Sequence, residues 1–137
     1  MSAAAGLSLN APTSITTTGD LTAAGAVTMT AISGITLNGS ITTSTGDLNI
    51  NANSSALALE SEITLSSAGA LILSASNTTS AGNLVLTSTG STINVDNALV
   101  SQGAVTMTAN SGLTLGNSTL TATGNINLQG GSSLSLV

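Results

Sequence analysis

The heptapeptide GAVTMTA stands at Gly25–Ala31 and returns letter for letter at Gly103–Ala109. No feature of the chain constrains its fold more, because self-similarity at a long, regular distance marks a stacked repeat architecture. Aligning on Gly-x-aliphatic-x-aliphatic adds starts at Gly46, Gly69, Gly82 and Gly124, with a fainter one at Gly6. From Gly25 the intervals run 21, 23, 13, 21 and 21 residues, and the first four make up the 78 between the two heptads. On this alignment the heptads are four repeats apart.

Within each repeat the aliphatic residues alternate with polar ones, the pattern of a strand with one buried face. Seven inward pairs carry the motif: Leu7/Leu9, Val27/Met29, Leu48/Ile50, Leu71/Leu73, Leu84/Leu86, Val105/Met107 and Ile126/Leu128. Two residues after each pair comes a small residue (Ala11, Ala31, Ala52, Ala75, Ser88, Ala109, Gly130), which suits a strand bending into a tight corner. A second strand follows with Ile15, Ile35/Leu37, Leu57/Leu59, Ile93/Val95, Leu113/Leu115 and Leu134/Leu136. A third, shorter one carries Leu21, Ile41, Ile63/Leu65, Leu99 and Leu120.

Three strands and three corners in about 20 residues describe one rung of a β-solenoid. The burial available to one rung does not offset the cost of ordering its backbone, so rungs are stable only when stacked. The expected fold is all-β: a right-handed parallel β-helix of about six to seven rungs, forming a single domain over residues 1–137. Corner residues that tolerate positive φ or bond their own backbone recur as Gly19-Asp20, Asn38-Gly39, Gly46-Asp47, Gly82-Asn83, Gly116-Asn117 and Gly124-Asn125. The stretch from Ser74 to Gly82, SASNTTSAG, breaks the rule. Either its rung is short and closes with polar residues, or Leu84 lies on a different face from Leu71.

Composition narrows the chemistry. The 137 residues include no Lys, Arg, His, Cys, Phe, Tyr or Trp, and five acids set a net charge of −5. Without Cys or His, zinc, haem and thiol chemistry lack their usual ligands, and no cofactor is expected. Without basic side chains nothing neutralises phosphate, so nucleic acid is not an expected partner. No apolar run reaches the length of a membrane span, and Met1 is followed by no basic, apolar leader.

The runs GDLNINANSS, GALILSAS, GNLVLTSTG and GNINLQGGSSLSL resemble the haemagglutinin-type repeats of filamentous haemagglutinin, of related two-partner-secretion exoproteins and of some autotransporter adhesins. The resemblance runs from about Gly6 to Val137 and is weakest at Ser74–Gly82. It implies a right-handed parallel β-helix, exported and displayed at the bacterial surface as a fibrous shaft in adhesion to a host or neighbouring cell. Members of that family are far longer, carry scattered basic residues and begin with a secretion domain. This sequence is therefore expected to be a piece of a longer shaft or a short protein built on the same repeat.

Three functional readings follow. Catalysis is not expected: glycosidic cleavage needs two positioned carboxylates, and the closest pair, Glu60 and Glu62, reads as a solvated outer face, while Asp20 and Asp47 read as corner residues. The glycosylation patterns at Asn38, Asn53, Asn77 and Asn117 are expected by chance in so Asn- and Ser-rich a chain. Ice binding needs Thr-x-Thr pairs stacked in successive rungs, and the pairs Thr16/Thr18, Thr28/Thr30, Thr106/Thr108 and Thr121/Thr123 alternate with Asn and aliphatic pairs. The leading expectation is mechanical, an extracellular shaft or fibre subunit whose partner is itself. The first strands offer Leu7, Leu9 and Ile15; the last offer Ile126, Leu128, Leu134 and Leu136. These edge residues match in kind and spacing, so the expectation is a head-to-tail homopolymer, with Ile126/Leu128 meeting Leu7/Leu9 and Leu134 meeting Ile15.

Overall fold

The computed structural model describes residues 1–116 and 119–137, which form strands, turns and bends with no helix. The Gly116-Asn117 corner and the Asn117 glycosylation pattern fall partly outside the described residues. Among those residues twenty short strands build three parallel walls around one core. The first wall holds β1 (Ser2–Ala3), β4 (Leu21–Ala23), β7 (Ile41–Thr43), β10 (Ile63–Ser67), β13 (Leu84–Ser88), β16 (Val105–Ala109) and β19 (Ile126–Gly130). The second holds β2 (Leu7–Ala11), β5 (Val27–Ala31), β8 (Leu48–Asn51), β11 (Leu71–Ser74), β14 (Ile93–Val95), β17 (Gly112–Leu115) and β20 (Ser133–Leu136). The third holds β3 (Ile15–Thr17), β6 (Ile35–Leu37), β9 (Ala56–Leu59), β12 (Asn77–Ser80), β15 (Ala98–Ser101) and β18 (Leu120–Ala122).

Each strand hydrogen-bonds to the strand three before and three after it, so three strands make a rung and the molecule is a parallel β-solenoid. Along the second wall the register runs Leu7, Val27, Leu48, Leu71, Ile93, Leu113, Leu134, one residue per rung. Those steps are 20, 21, 23, 22, 20 and 21 residues, and none is 13. The apparent short interval has a different cause. Leu71 pairs with Leu48 and Ile93 on the second wall, whereas Leu84 pairs with Ile63 and Val105 on the first. Between them β12 supplies the third wall, so Leu71 to Leu84 spans two strands, two-thirds of a rung. Of the two sequence alternatives the second holds. The rung through Ser74–Gly82 has full length and is irregular only in its polar β12.

The first heptad lies on the second wall and its copy on the first, so they stand three and two-thirds rungs apart rather than four. An inward aliphatic pair fits any wall, and the stacking neighbours decide which wall it joins.

The core is a continuous aliphatic column that includes Met29, Ile50, Leu57, Leu73, Leu86 and Met107, all fully buried. The small residues divide with the walls. Ala11 and Ala31 end second-wall strands and Ala52 and Ala75 directly follow two others, whereas Ser88, Ala109 and Gly130 continue a first-wall column that starts Ala3, Ala23, Thr43, Ser67. Buried hydroxyls in that column donate to corner carbonyls: Thr43 Oγ1 to Gly46 O at 2.6 Å, Ser88 Oγ to Gly69 O at 2.6 Å, and Ser67 Oγ, with its single proton, to one of Gly46 O and Ala70 O, both 3.0 Å away. Ser80 and Ser101 on the third wall both donate to Gly82 O, at 3.0 and 2.9 Å. The Gly46 and Ala70 carbonyls also accept the backbone N–H groups of Gly69 and Leu48, so the hydroxyls add a second tie at those corners. Among the described residues three buried side-chain oxygens lack a partner: Thr17 Oγ1, Thr78 Oγ1 and Asn97 Oδ1, although Asn97 Nδ2 donates to Leu73 O at 3.4 Å.

Corners stack as closely as walls. A Cβ on Gly46 would run into the backbone nitrogen of Ala26 one rung away, so only glycine fits there. Gly34, at φ +116°, takes a backbone conformation that side chains disfavour.

Candidate functional site: the two open ends

Two of the acids tie corners together. Asp20 Oδ1 accepts the Ser40 N–H at 2.8 Å and Asp47 Oδ1 accepts the Ala70 N–H at 2.7 Å, each tying a corner to the next rung. Asn83, at the equivalent place in its corner, does the same for Ala104 at 2.9 Å. Glu60 and Glu62 are exposed, and Glu62 Oε1 meets Asn83 Nδ2 at 3.5 Å. Among the described residues no three His, Cys, Asp or Glu side chains gather as metal ligands would.

Apolar groups meet solvent mainly at the ends. At the C-terminal end Ile126 is 46% exposed, Leu134 49% and Leu136 64%, while their ladder neighbours one rung inward, Val105, Leu113 and Leu115, are 0–4% exposed. A concavity of about 440 Å³ opens there between Leu115, Leu120, Ile126, Leu128, Leu136 and Val137. The N-terminal end has its counterpart, about 340 Å³, with Met1, Leu9, Ile15 and Leu21 among its lining. Leu7 and Leu9 are half-buried, and Ile15 is buried at 9% exposure. The first and last described rungs thus show strand edges around an apolar floor, the arrangement to which another strand layer can add.

The structure distributes the predicted edge residues differently from the simple match. Leu7 and Leu9 lie on the second wall and Ile15 on the third, but Ile126 and Leu128 lie on the first and Leu134 and Leu136 on the second. Set wall over wall, Leu134 and Leu136 would face Leu7 and Leu9; the expected meeting of Ile126/Leu128 with Leu7/Leu9 and of Leu134 with Ile15 needs a second copy turned by one wall. The wall change between Leu71 and Leu84 is the reason. Two further edge strands carry no sequence signal of an edge: β1 contains no large aliphatic residue, and Leu120 of β18 has the pattern of any third strand.

The outer faces also rearrange. On the first wall the outward residues Ser2, Thr22, Thr42, Ser66, Thr87 and Thr108 stand in register on six successive rungs, and Gln129 follows. Beside this column run Thr64, Val85, Thr106 and Asn127. The Thr-x-Thr pairs that looked scattered in the sequence are spread over three walls, and the first wall gathers an unbroken hydroxyl column.

Compared with protein-family models, with curated proteins and with solved structures, the chain matches none of them.

Proposed function

We propose that the protein is a non-catalytic structural element, a β-solenoid unit that joins further copies end to end into a fibre outside the cell, at a bacterial surface. The observation that supports this reading is that the first and last described rungs show the same kind of strand edge around an aliphatic floor, with Leu7 to Ile15 and Ile126 to Leu134 each 8 residues apart. Fibre formation buries both. The join is heterologous, so it extends rather than closes. The absence of Lys and Arg removes every trypsin site, which suits an extracellular location.

Electron microscopy of the purified chain tests the proposal. Filaments one solenoid wide are expected. Leu134→Lys with Leu136→Lys sets two charges into the join and should leave dispersed particles with an unchanged β-type circular dichroism spectrum. Dispersed particles from the unaltered chain at high concentration would overturn self-assembly and favour a segment of a longer adhesin shaft.

The unbroken hydroxyl column on the first wall favours a second reading, ice binding. Six rungs repeat Ser or Thr at the ~4.8 Å strand spacing, with no charged residue among them. Thermal hysteresis that disappears in Thr42→Lys with Thr87→Lys would establish it. No hysteresis at millimolar chain removes it.

A further inference from the structure

The charges of the molecule share one kind of place. Asp20, Asp47, Glu60, Glu62 and Asp96 all fall in corners, and no strand carries an acid. The walls between the corners are neutral, and they differ in what they turn outward.

The third wall turns out methyl groups. Its outward column runs Thr16, Thr36, Ala58, Thr79, Val100 and Thr121, in register from rung to rung. Every member carries a methyl, and Ala56, Asn77 and Ala98 stand in register beside it. Serine breaks such a run on the first wall, at Ser2 and Ser66, and asparagine on the second, at Asn49 and Asn94. Among the described residues two large apolar side chains are exposed away from the first and last rungs, and both belong to this side. Val100, 39% exposed, stands in the column, and Ile32, 58% exposed, stands at the corner where the second wall passes into the third.

A narrow, neutral, methyl-bearing strip fits a surface like itself. A basic partner would be held at the corners, where the carboxylates are, and a hydrogen-bonding one has the hydroxyl column of the first wall. A second copy meeting this wall with its own leaves the acids of both at the wet rim of the contact. Contact through the acidic corners would instead set carboxylate against carboxylate, with no Lys or Arg in the chain to pair with them.

We infer that two copies pack side by side, third wall against third wall. The contact uses the flank of the solenoid and is independent of what its ends do. At ~4.8 Å per rung and ~3.3 Å per residue the strip measures about 29 by 13 Å, or about 400 Å² per copy. Both sides together reach about 800 Å², below the ~1,200 Å² at which specific stable interfaces begin. Single chains therefore pair weakly. A fibre or a longer shaft repeats the strip along its length and pairs firmly.

One rung supplies matched probes. Thr87, Asn94 and Val100 point outward from the first, second and third walls in the successive strands β13, β14 and β15, and the chain has no cysteine. Thr87→Cys, Asn94→Cys and Val100→Cys are each made in the Leu134→Lys, Leu136→Lys chain, which keeps end-to-end contacts out. A bis-maleimide that spans the ~10 Å between stacked sheets then joins copies at high chain concentration. Yields are referred to each thiol's reaction with a monofunctional maleimide. Val100→Cys is expected to give several-fold more covalent dimer than either other thiol. Thr36→Lys with Thr79→Lys, added to the Val100→Cys chain, should bring its dimer down to their level with the β-type circular dichroism unchanged. Equal yields from the three walls, a larger yield from the first or second, or a dimer that survives both lysines in a folded chain overturns the third-wall contact and leaves the end-to-end reading untouched.

Discussion

The two GAVTMTA copies are chemically identical and structurally displaced. On the second wall Val27, Met29 and Ala31 are sealed, and on the first Val105, Met107 and Ala109 are sealed to within 2%. Their outer faces diverge: Thr28 is exposed, whereas Thr106 is half-buried. Their corners diverge further. Ala31 ends a strand on a wall whose neighbouring small residues are Ala11 and Ala52, but Ala109 sits between Ser88 and Gly130 in a column where hydroxyls bond corner carbonyls. The phrase therefore encodes a strand and a bend, and its wall comes from the rung beneath it. Walls are interchangeable in the core and specialised at the corners.

The largest test of interchangeability is a matched pair of cavities. Met29→Ala and Met107→Ala should each cost about 2–5 kcal/mol, by urea denaturation followed by circular dichroism in the Leu134→Lys, Leu136→Lys background. That background keeps assembly from adding to stability. Costs that agree within about 1 kcal/mol support equivalent walls, and a wider gap breaks the comparison. Enlarging the corners comes next: Ala31→Leu and Ala109→Leu should each cost about 1–3 kcal/mol through overpacking.

A smaller substitution separates the corners. Ala109→Ser gains a hydroxyl where Ser88 already finds a carbonyl, so it should be nearly neutral, while Ala31→Ser buries one on the alanine-lined side and should cost about 1–2 kcal/mol. Equal costs would show that the corners do not differ in this way. The smallest effect belongs to the segment that separates the two copies. Thr78 occupies a ladder of aliphatic residues, between Leu57 and Leu99, with its hydroxyl unpartnered. Thr78→Val keeps the shape and removes that group, so a gain of about 1 kcal/mol is expected. A loss would mean that the hydroxyl is satisfied.

Strands, corners and inward residues were legible in the sequence because period-two alternation and glycine placement are local signals. The wall of each strand was not. Leu84 and Leu71 carry the same local pattern, and only their partners one rung away, Ile63 and Leu48, distinguish them. The polar β12 hid the third wall at that level because Asn77–Ser80 contains no aliphatic residue to count. The same blindness hid that Ile126 and Leu128 share a wall with neither Leu7 and Leu9 nor Ile15. It also dispersed the hydroxyl column, whose members come from strands that the sequence reading assigned to different classes.

The even height of the rungs has a kinetic meaning. Every ladder in the molecule joins residues about 20 to 24 positions apart, from Leu7 with Val27 to Ile41 with Leu65. Loop closure therefore charges nearly the same entropy for each rung added, and no pairing waits for the two termini to meet. Once the first two rungs have formed, folding proceeds as a zipper in either direction. The slow step is the nucleus, so lengthening such a chain by further rungs would add stability without adding to the barrier.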